Sequence, residues 1–275
     1  MIRDIAGRQN HSVKLARKLQ KKKHRRERGL LVGEGMDLLR AAVEAGADVR
    51  DVLVRRELVC DLPALLLERA ASSEHAGPTG VDIGVCDEET LGYASCLGGS
   101  PDVIFMCPEP VWSLGDLDLG ERVTVVLAGV GDPGNVGTLV RSGAVFGVGG
   151  VVCSPGTADP YGPKAMRGGM GAQFVIPVVT EVTAADLRAR IDRVADGGGR
   201  RPQVLVADPH GGQDVRTLRL DGGALLILGA ERTGPGDEWG SGRQVTIPQS
   251  RFDSLNVAMA GTVLLYELSR EPVGK

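Results

Sequence analysis

The sequence predicts an α/β protein of two units, the second built on a mostly parallel sheet covered on both faces. Short apolar runs of strand length alternate with amphipathic stretches of helix length along most of the 275 residues, the pattern of strands joined by crossover helices. The 40 glycines, about twice ordinary usage, crowd after Gly120, where turns and close approach of backbone to a ligand call for them. Between the two alternating stretches lies CPEPVWSLGDLDLGER, whose prolines and acids read as a connection.

Residues 1–28 stand apart by charge. They hold eleven Lys/Arg against Asp4 and Glu27, whereas the whole chain carries 32 basic and 35 acidic groups. A cationic arm on an anionic body reads as a phosphate-binding handle, with Arg8, Lys14, Arg17, Lys18, Lys21, Lys22, Arg25 and Arg26 as candidate contacts. Val13, Leu15, Ala16 and Leu19 form a weak apolar stripe, predicting a short helix docked with its cations outward. Residues 29–111 read as strand GLLVGEG, helix MDLLRAAVEAG ended by Gly46, strand VRDVLVR, helix LPALLLERAASS, strand VDIGVCD and strand VIFMC. This stretch offers no nucleotide loop and no nucleophile constellation, so binding is its expected task.

After a linker at 112–120, residues 121–275 alternate again. The elements are strand VTVVLAG, helix VGTLVRSGAVF ended by Gly147, strand GGVVC, a glycine-rich segment around Met166 and strand FVIPVV. Helix AADLRARIDRVA, strands QVLVA, ALLILG and QVTIP, and a helix from about Ser254 to Leu268 complete it. In such sheets ligands sit at the carboxyl ends of strands, so the loops after Leu127, Leu228 and Ile247 are where a site is expected.

Composition narrows the classes. Five cysteines without a CxxC pair argue against a disulfide framework or a zinc site, and no metal is expected. No apolar run approaches a membrane span and MIRDIAGRQNH has no signal-like apolar region, which predicts a soluble cytoplasmic protein. Aromatics are 3%, too few for base-stacking platforms to dominate recognition.

Gly129, Gly131 and Gly134 spell GxGxxG after a strand, but Pro133 lies inside the turn and no acid follows the next strand to hold a ribose, so a dinucleotide site is not expected. Three segments read better. In GDPGNVGTLVRSGAVF, Asn135 stands where an N-cap belongs and Arg141 follows six residues on, off the same helix face. In LLILGAERTGPG, a strand ends at Gly229, with Glu231 and two glycines after it. In VTIPQSRFDSLNVAMAGTVLLYEL, a strand closes at Ile247 and Pro248, and Ser254 and Asn256 stand at a helix start as ordinary caps would.

The order N-x5-R, LGxE-x2-G, IP-x5-SLN-x8-YE resembles the three motifs of the SpoU/TrmH family of the SPOUT superfamily of RNA methyltransferases. KAMRGGMGAQFVIPV is similar to that family's middle segment. Residues 29–107 look more loosely like the ribosomal-protein-like RNA-binding domain that many members carry. The resemblance implies a deep trefoil knot in the second unit, a homodimer, and S-adenosylmethionine bound by the backbones around Leu228, Gly229, Ile247 and Leu255, with Asn256 nearby. It further implies transfer of the methyl group to a ribose 2′-hydroxyl, on ribosomal RNA as in members conferring resistance to antibiotics of the thiostrepton or avilamycin kind. Arg141 is then the catalytic residue, either general base or stabiliser of the alkoxide. Asn135 and Ser254 orient the ribose or Arg141, and Glu231 anchors Arg141 or its own loop. Two positions depart from the family pattern: Gly169, where a small polar residue is common, and Arg232, where glycine is. A tRNA substrate, or a non-catalytic RNA- or ribosome-binding protein of the same fold, are the alternatives.

Overall fold

The computed structural model describes residues 1–5, 7–71, 80–251 and 254–269, in two units. The first unit comprises Met1–Pro110 and Tyr161–Phe174; the second comprises Val111–Pro160 and the chain from Val175 onward.

The first unit runs β1 (Ile2–Asp4), α1 (His11–Leu19), α2 (Lys22–Arg28), β2 (Leu30–Glu34), α3 (Met36–Glu44), β3 (Asp51–Arg55), α4 (Ala64–Ala71), β4 (Asp82–Cys86), α5 (Glu88–Ala94) and β5 (Val103–Pro108). Its sheet has the order β1-β4-β3-β5-β2, with β5 antiparallel to β3 and β2 and the other pairs parallel. The two serines ending the helix predicted over 62–73 lie outside the described residues. β1 and α5 have no signal in the periodicity, because three residues carry no period and α5 is only two turns long. Asp87 starts α5 by accepting the Thr90 N–H, and hydrogen bonding from the Thr90 side chain and then from its N–H holds the carboxyl below the usual carboxylate range.

The basic segment is built into this unit. The stripe predicted on α1 is buried, with Val13, Leu15, Ala16 and Leu19 packed among Val32, Leu53, Ile104 and Met106 of the sheet and Leu91 and Ala94 of α5. Lys14, Arg17, Lys18 and Lys21 face solvent as expected, but Arg25 does not. It is 3% exposed, and its guanidinium donates to the Leu19 and Gln20 carbonyls at 2.8 and 2.9 Å. It closes the carbonyl end of α1 and is removed from the phosphate contacts. No disulfide joins any two cysteines among the described residues; burial pushes the Cys86 thiol up to about 11 and that of Cys96 up to about 12.

The second unit begins with β6 (Val123–Ala128), α6 (Pro133–Val145) and β7 (Gly150–Cys153). The chain then spends Tyr161–Phe174, including α7 (Pro163–Gly169), on the first unit, so the stretch 121–275 is not continuous in space. Gly171, at φ +85°, makes that packing possible: a Cβ there would stand 2.8 Å from the Ala41 Cβ of α3. The second unit resumes with β8 (Val178–Thr180), α8 (Ala184–Asp196), β9 (Gln203–Ala207), β10 (Gln213–Asp214), β11 (Ala224–Gly229), β12 (Arg243–Thr246) and α9 (Val257–Ser269). The strand expected over FVIPVV is reduced to its last two valines plus Thr180, since Pro177 lacks the N–H a ladder needs and pairing starts only at Val178.

The second sheet is parallel throughout, in the order β10-β12-β9-β11-β6-β7-β8. From β6 the chain moves outward through β7 and β8, then crosses to β9 and inserts β11 between β9 and β6. The carboxyl ends of β6 and β11 therefore flank the point where the winding reverses, the place where open α/β sheets hold ligands. One face packs against α8 through Leu187 and Ile191, with Val126, Val206, Leu225 and Ile227 beneath. On the other, α9 closes on α6 and β11 at Gly261, where a Cβ would meet Leu139 at 2.4 Å and Leu228 at 2.7 Å. No helix among the described residues is long and apolar enough to cross a membrane.

Thr124 on β6 is a misfit in the core: it is fully buried and its hydroxyl has no hydrogen-bond partner among the described residues. A buried unmatched hydroxyl costs about 1–3 kcal/mol, so Thr124→Val, which keeps the β-branched shape, is expected to raise unfolding stability by about 1 kcal/mol in denaturant titration. A variant less stable than the parent would mean that the hydroxyl is satisfied in solution.

Candidate active site

The three sequence segments meet at the ends of β6, β11 and the start of α9. Asp132, not Asn135, caps α6, accepting the N–H groups of Gly134 at 2.8 Å and Asn135 at 3.0 Å. The reason is Pro133, which lacks an N–H and has a preset φ, and so favours the first helical position. Asn135, moved to the third position, has its side chain free for long-range contact.

Glu231 receives it. The Asn135 Nδ2 donates to Glu231 Oε1 at 2.9 Å, and the Asn256 Nδ2 donates to the same oxygen at 3.1 Å and to Asn135 Oδ1 at 3.2 Å. Asn256 also caps α9: its Oδ1 accepts from Ala258 N–H at 2.9 Å and Met259 N–H at 3.3 Å. Thus α9 begins at Val257, three residues later than expected, and Ser254 stays in the exposed loop before it, outside the helix cap. One carboxylate oxygen gathers residues 96 and 25 positions away in the chain.

Arg141 is not part of that cluster. It is exposed on α6 and makes no hydrogen bond or ion pair among the described residues. Glu231 accepts from Asn135 and Asn256, and it makes no bond to Arg141 among the described residues. The neighbouring residue Ser142 donates or accepts a 2.7 Å bond with Thr262, joining α6 to α9, a contact with no sequence signal beyond two small polar residues on apolar helices.

The loop after β11 is tight. Ala230 and Gly234 exchange backbone hydrogen bonds at 3.1 and 2.9 Å, and a Cβ on Gly229 would lie 2.2 Å from Pro235 N and 2.3 Å from the Gly234 carbonyl carbon. Positive φ falls on Gly234 and Gly236, so Arg232 imposes no strain where the family often has glycine. Gly169 is likewise accounted for, because the Gln173 side-chain amide fills the space a Cβ there would need, at 2.4 Å. The loop after β6 is held by Ser154 and Thr157, whose hydroxyls accept the Gly129 N–H at 3.0 and 3.2 Å.

β11 pairs with β6 as far as Gly229↔Ala128 but with β9 only to Ile227↔Val206, so Leu228 and Gly229 extend beyond the β9 ladder. The Leu228 side chain is turned into the core against Gly261. Ile247 is half-buried and Leu255 is 44% exposed, leaving apolar surface on the third segment.

Comparison with known proteins identifies the family. Residues 122–266 match the SpoU rRNA Methylase family and residues 10–95 match the MRM3-like substrate binding domain. A 23S rRNA (guanosine(2553)-2'-O)-methyltransferase of Bacillus subtilis is 26% identical over 97% of this chain and 99% of its own length. An uncharacterized tRNA/rRNA methyltransferase of Synechocystis sp. is 28% identical over 98% and 94%. The crystal structure of an AdoMet-bound rRNA methyltransferase from Sinorhizobium meliloti superposes with a TM-score of 0.78 at 26% identity, covering 97% of both chains. With the family's match spanning more than half its length, the chain belongs to the SpoU rRNA methylase family.

Proposed function

We propose that this protein transfers the methyl group of S-adenosylmethionine to a ribose 2′-hydroxyl of ribosomal RNA. The observation that carries the reading is the convergence of Asn135, Glu231 and Asn256, one from each segment, on a single carboxylate oxygen where the sheet reverses its winding. The relatives named as 23S rRNA 2′-O-methyltransferases, one of them matched over nearly its whole length, support the substrate class.

The residues fit the cofactor. Backbone groups of Leu228 and Gly229, beyond the end of the β9 ladder, would meet the polar parts of the nucleoside, with Ile247 and Leu255 as apolar walls and Asn256 beside them. When bound, the sulfonium supplies an activated methyl group with a neutral leaving group. The rest falls to this chain. The Glu231 carboxylate locks the loop after β11 to the first turn of α6 and the cap of α9, so the three segments hold one geometry. Arg141, whose guanidinium donors are uncommitted among the described residues, stabilises the alkoxide that develops as the 2′-hydroxyl loses its proton; a guanidinium stays protonated at neutral pH, which suits this role better than that of base. Ser254, exposed before α9, orients the ribose.

Residues 1–110 hold RNA through the cations on α1 and nearby, among which Lys14, Lys18 and Lys21 are exposed and without an ion-pair partner among the described residues. Arg8 and Arg17 sit 4.8 and 4.7 Å from the Tyr93 ring centroid. A ribosomal substrate places the work in the cytoplasm. A second copy covers the outer face of α6 and α9, where Val145, Met259 and Tyr266 are 70%, 64% and 52% exposed; the late insertion of β11 suits the knotted crossing that the family resemblance implies.

The test is mass mapping of ribose methylation after incubating the full chain with S-adenosylmethionine and either 23S rRNA or tRNA, with sedimentation on the same sample. Methylated ribose on 23S rRNA by a dimer is expected. Modification of tRNA alone would transfer the reading to that substrate, and cofactor binding absent by calorimetry would leave a non-catalytic RNA-binding protein.

A further inference from the structure

In the second unit most arginines are tied down. Arg200 lies 2.9 Å from Asp221, Arg201 2.7 Å from Asp192 and Arg216 2.6 Å from Asp214, while Arg188 and Arg190 donate to backbone carbonyls. Arg141, Arg232 and Arg251 differ. Each is exposed and makes no hydrogen bond or ion pair among the described residues. They fall one on each of the three segments that Glu231 gathers: Arg141 on α6, Arg232 directly after Glu231, and Arg251 in the loop leading to Asn256. Arg243 is also without a partner among the described residues, but it stands at the amino end of β12, whereas the site lies at the carboxyl ends of the strands.

The distribution has an electrostatic meaning. A site centred on the Glu231 carboxylate, with the exposed acids Asp132, Asp237 and Glu238 on the same segments, repels a polyanion unless nearby cations outweigh it. Cations already neutralised by protein carboxylates contribute little to that balance, whereas free ones are available to phosphates. Backbone geometry gives Arg232 no other task, since the left-handed positions of its loop are Gly234 and Gly236. The loop is closed on itself by the Ala230–Gly234 bonds and tied by the Glu231 contacts, so the guanidinium is presented from a hydrogen-bonded turn.

We propose that Arg232 and Arg251 hold phosphates of the RNA nucleotides flanking the target ribose, leaving Arg141 to the sugar oxygen. The assignment rests on the reading of this site as an RNA ribose methyltransferase, and it makes the rim of the site, as well as the first unit, a determinant of substrate binding.

The test is RNA affinity across a salt series, with the full chain and 23S rRNA, for Arg232→Gln, Arg251→Gln and Arg232→Lys. Each glutamine variant is expected to bind about tenfold more weakly at moderate salt and to lower the slope of log affinity against log salt by about 1. The lysine variant retains the parent slope. In steady-state kinetics the loss appears in KM for RNA, with calorimetric affinity for S-adenosylmethionine unchanged. Parent-like RNA affinity and slope in both glutamine variants overturns the proposal. So does weakened cofactor binding with an intact salt slope, which would make Arg232 a loop-shaping residue. A parent protein that binds RNA but never methylates ribose defeats the enzymatic reading, while the slopes still decide whether these arginines contact phosphate.

Discussion

Arg141→Ala is expected to lower turnover by about 10²–10³-fold while leaving cofactor affinity and folding stability near the parent values. The magnitude is that of removing one preorganised donor aimed at charge that develops in the transition state. The separation of effects comes from the structure: Arg141 is exposed and without a partner among the described residues, so its loss removes no packing and no hydrogen bond, and surface changes of that kind stay within about 0.5 kcal/mol. Arg141→Lys is expected to recover part of the rate, because an ammonium supplies charge without the planar fork that presents several donors at once. Single-turnover methylation at saturating RNA and cofactor separates chemistry from binding. Parent-like turnover in a folded alanine variant would remove Arg141 from the reaction, and a fall confined to cofactor affinity would move it to the cofactor site.

The same residue marks the limit of what the sequence conveys. The strands of the second unit are legible because each is a short apolar run between turn residues, and their alternation with helices implies a parallel sheet. That three distant segments meet is legible only through the resemblance, since periodicity does not carry strand order. Their joining atoms are less accessible still. Asn135 looks like a cap because its side chain suits one, yet Asp132 with Pro133 behind it is the better start, and the displacement by three residues turns Asn135 from a local cap into a partner for Glu231. Ser254 and Asn256 pose the same choice in reverse: both residue types cap helices, and only the observed backbone assigns the cap to Asn256. Arg25 stands in a run of cations indistinguishable by composition, and its burial depends on α2 folding back to bring it to the end of α1.

Gly229→Ala is expected to weaken S-adenosylmethionine binding at least about tenfold and, with it, to remove methylation under ordinary cofactor concentrations. The cause is steric. The added methyl would sit 2.2 Å from Pro235 N and 2.3 Å from the Gly234 carbonyl carbon, and these are backbone atoms that cannot rotate away as a side-chain end can. Relief requires the loop to lift from the end of β11, which breaks the Ala230–Gly234 exchange and carries Glu231 away from Asn135 and Asn256. Gly234→Ala supplies the control. Its φ of +67° strains an alanine by about 1–2 kcal/mol, but nothing lies within 4 Å of the new Cβ, so the loop can keep its place. The ranking is therefore Gly229→Ala far more damaging to cofactor affinity than Gly234→Ala, measured by calorimetric titration, with both variants folded because the sheet beneath is untouched. If Gly229→Ala bound the cofactor as the parent does, or if the ranking were reversed, the tight loop would not be what holds the cofactor, and the coupling from Gly229 through Glu231 to the other two segments would have no part in assembling the site.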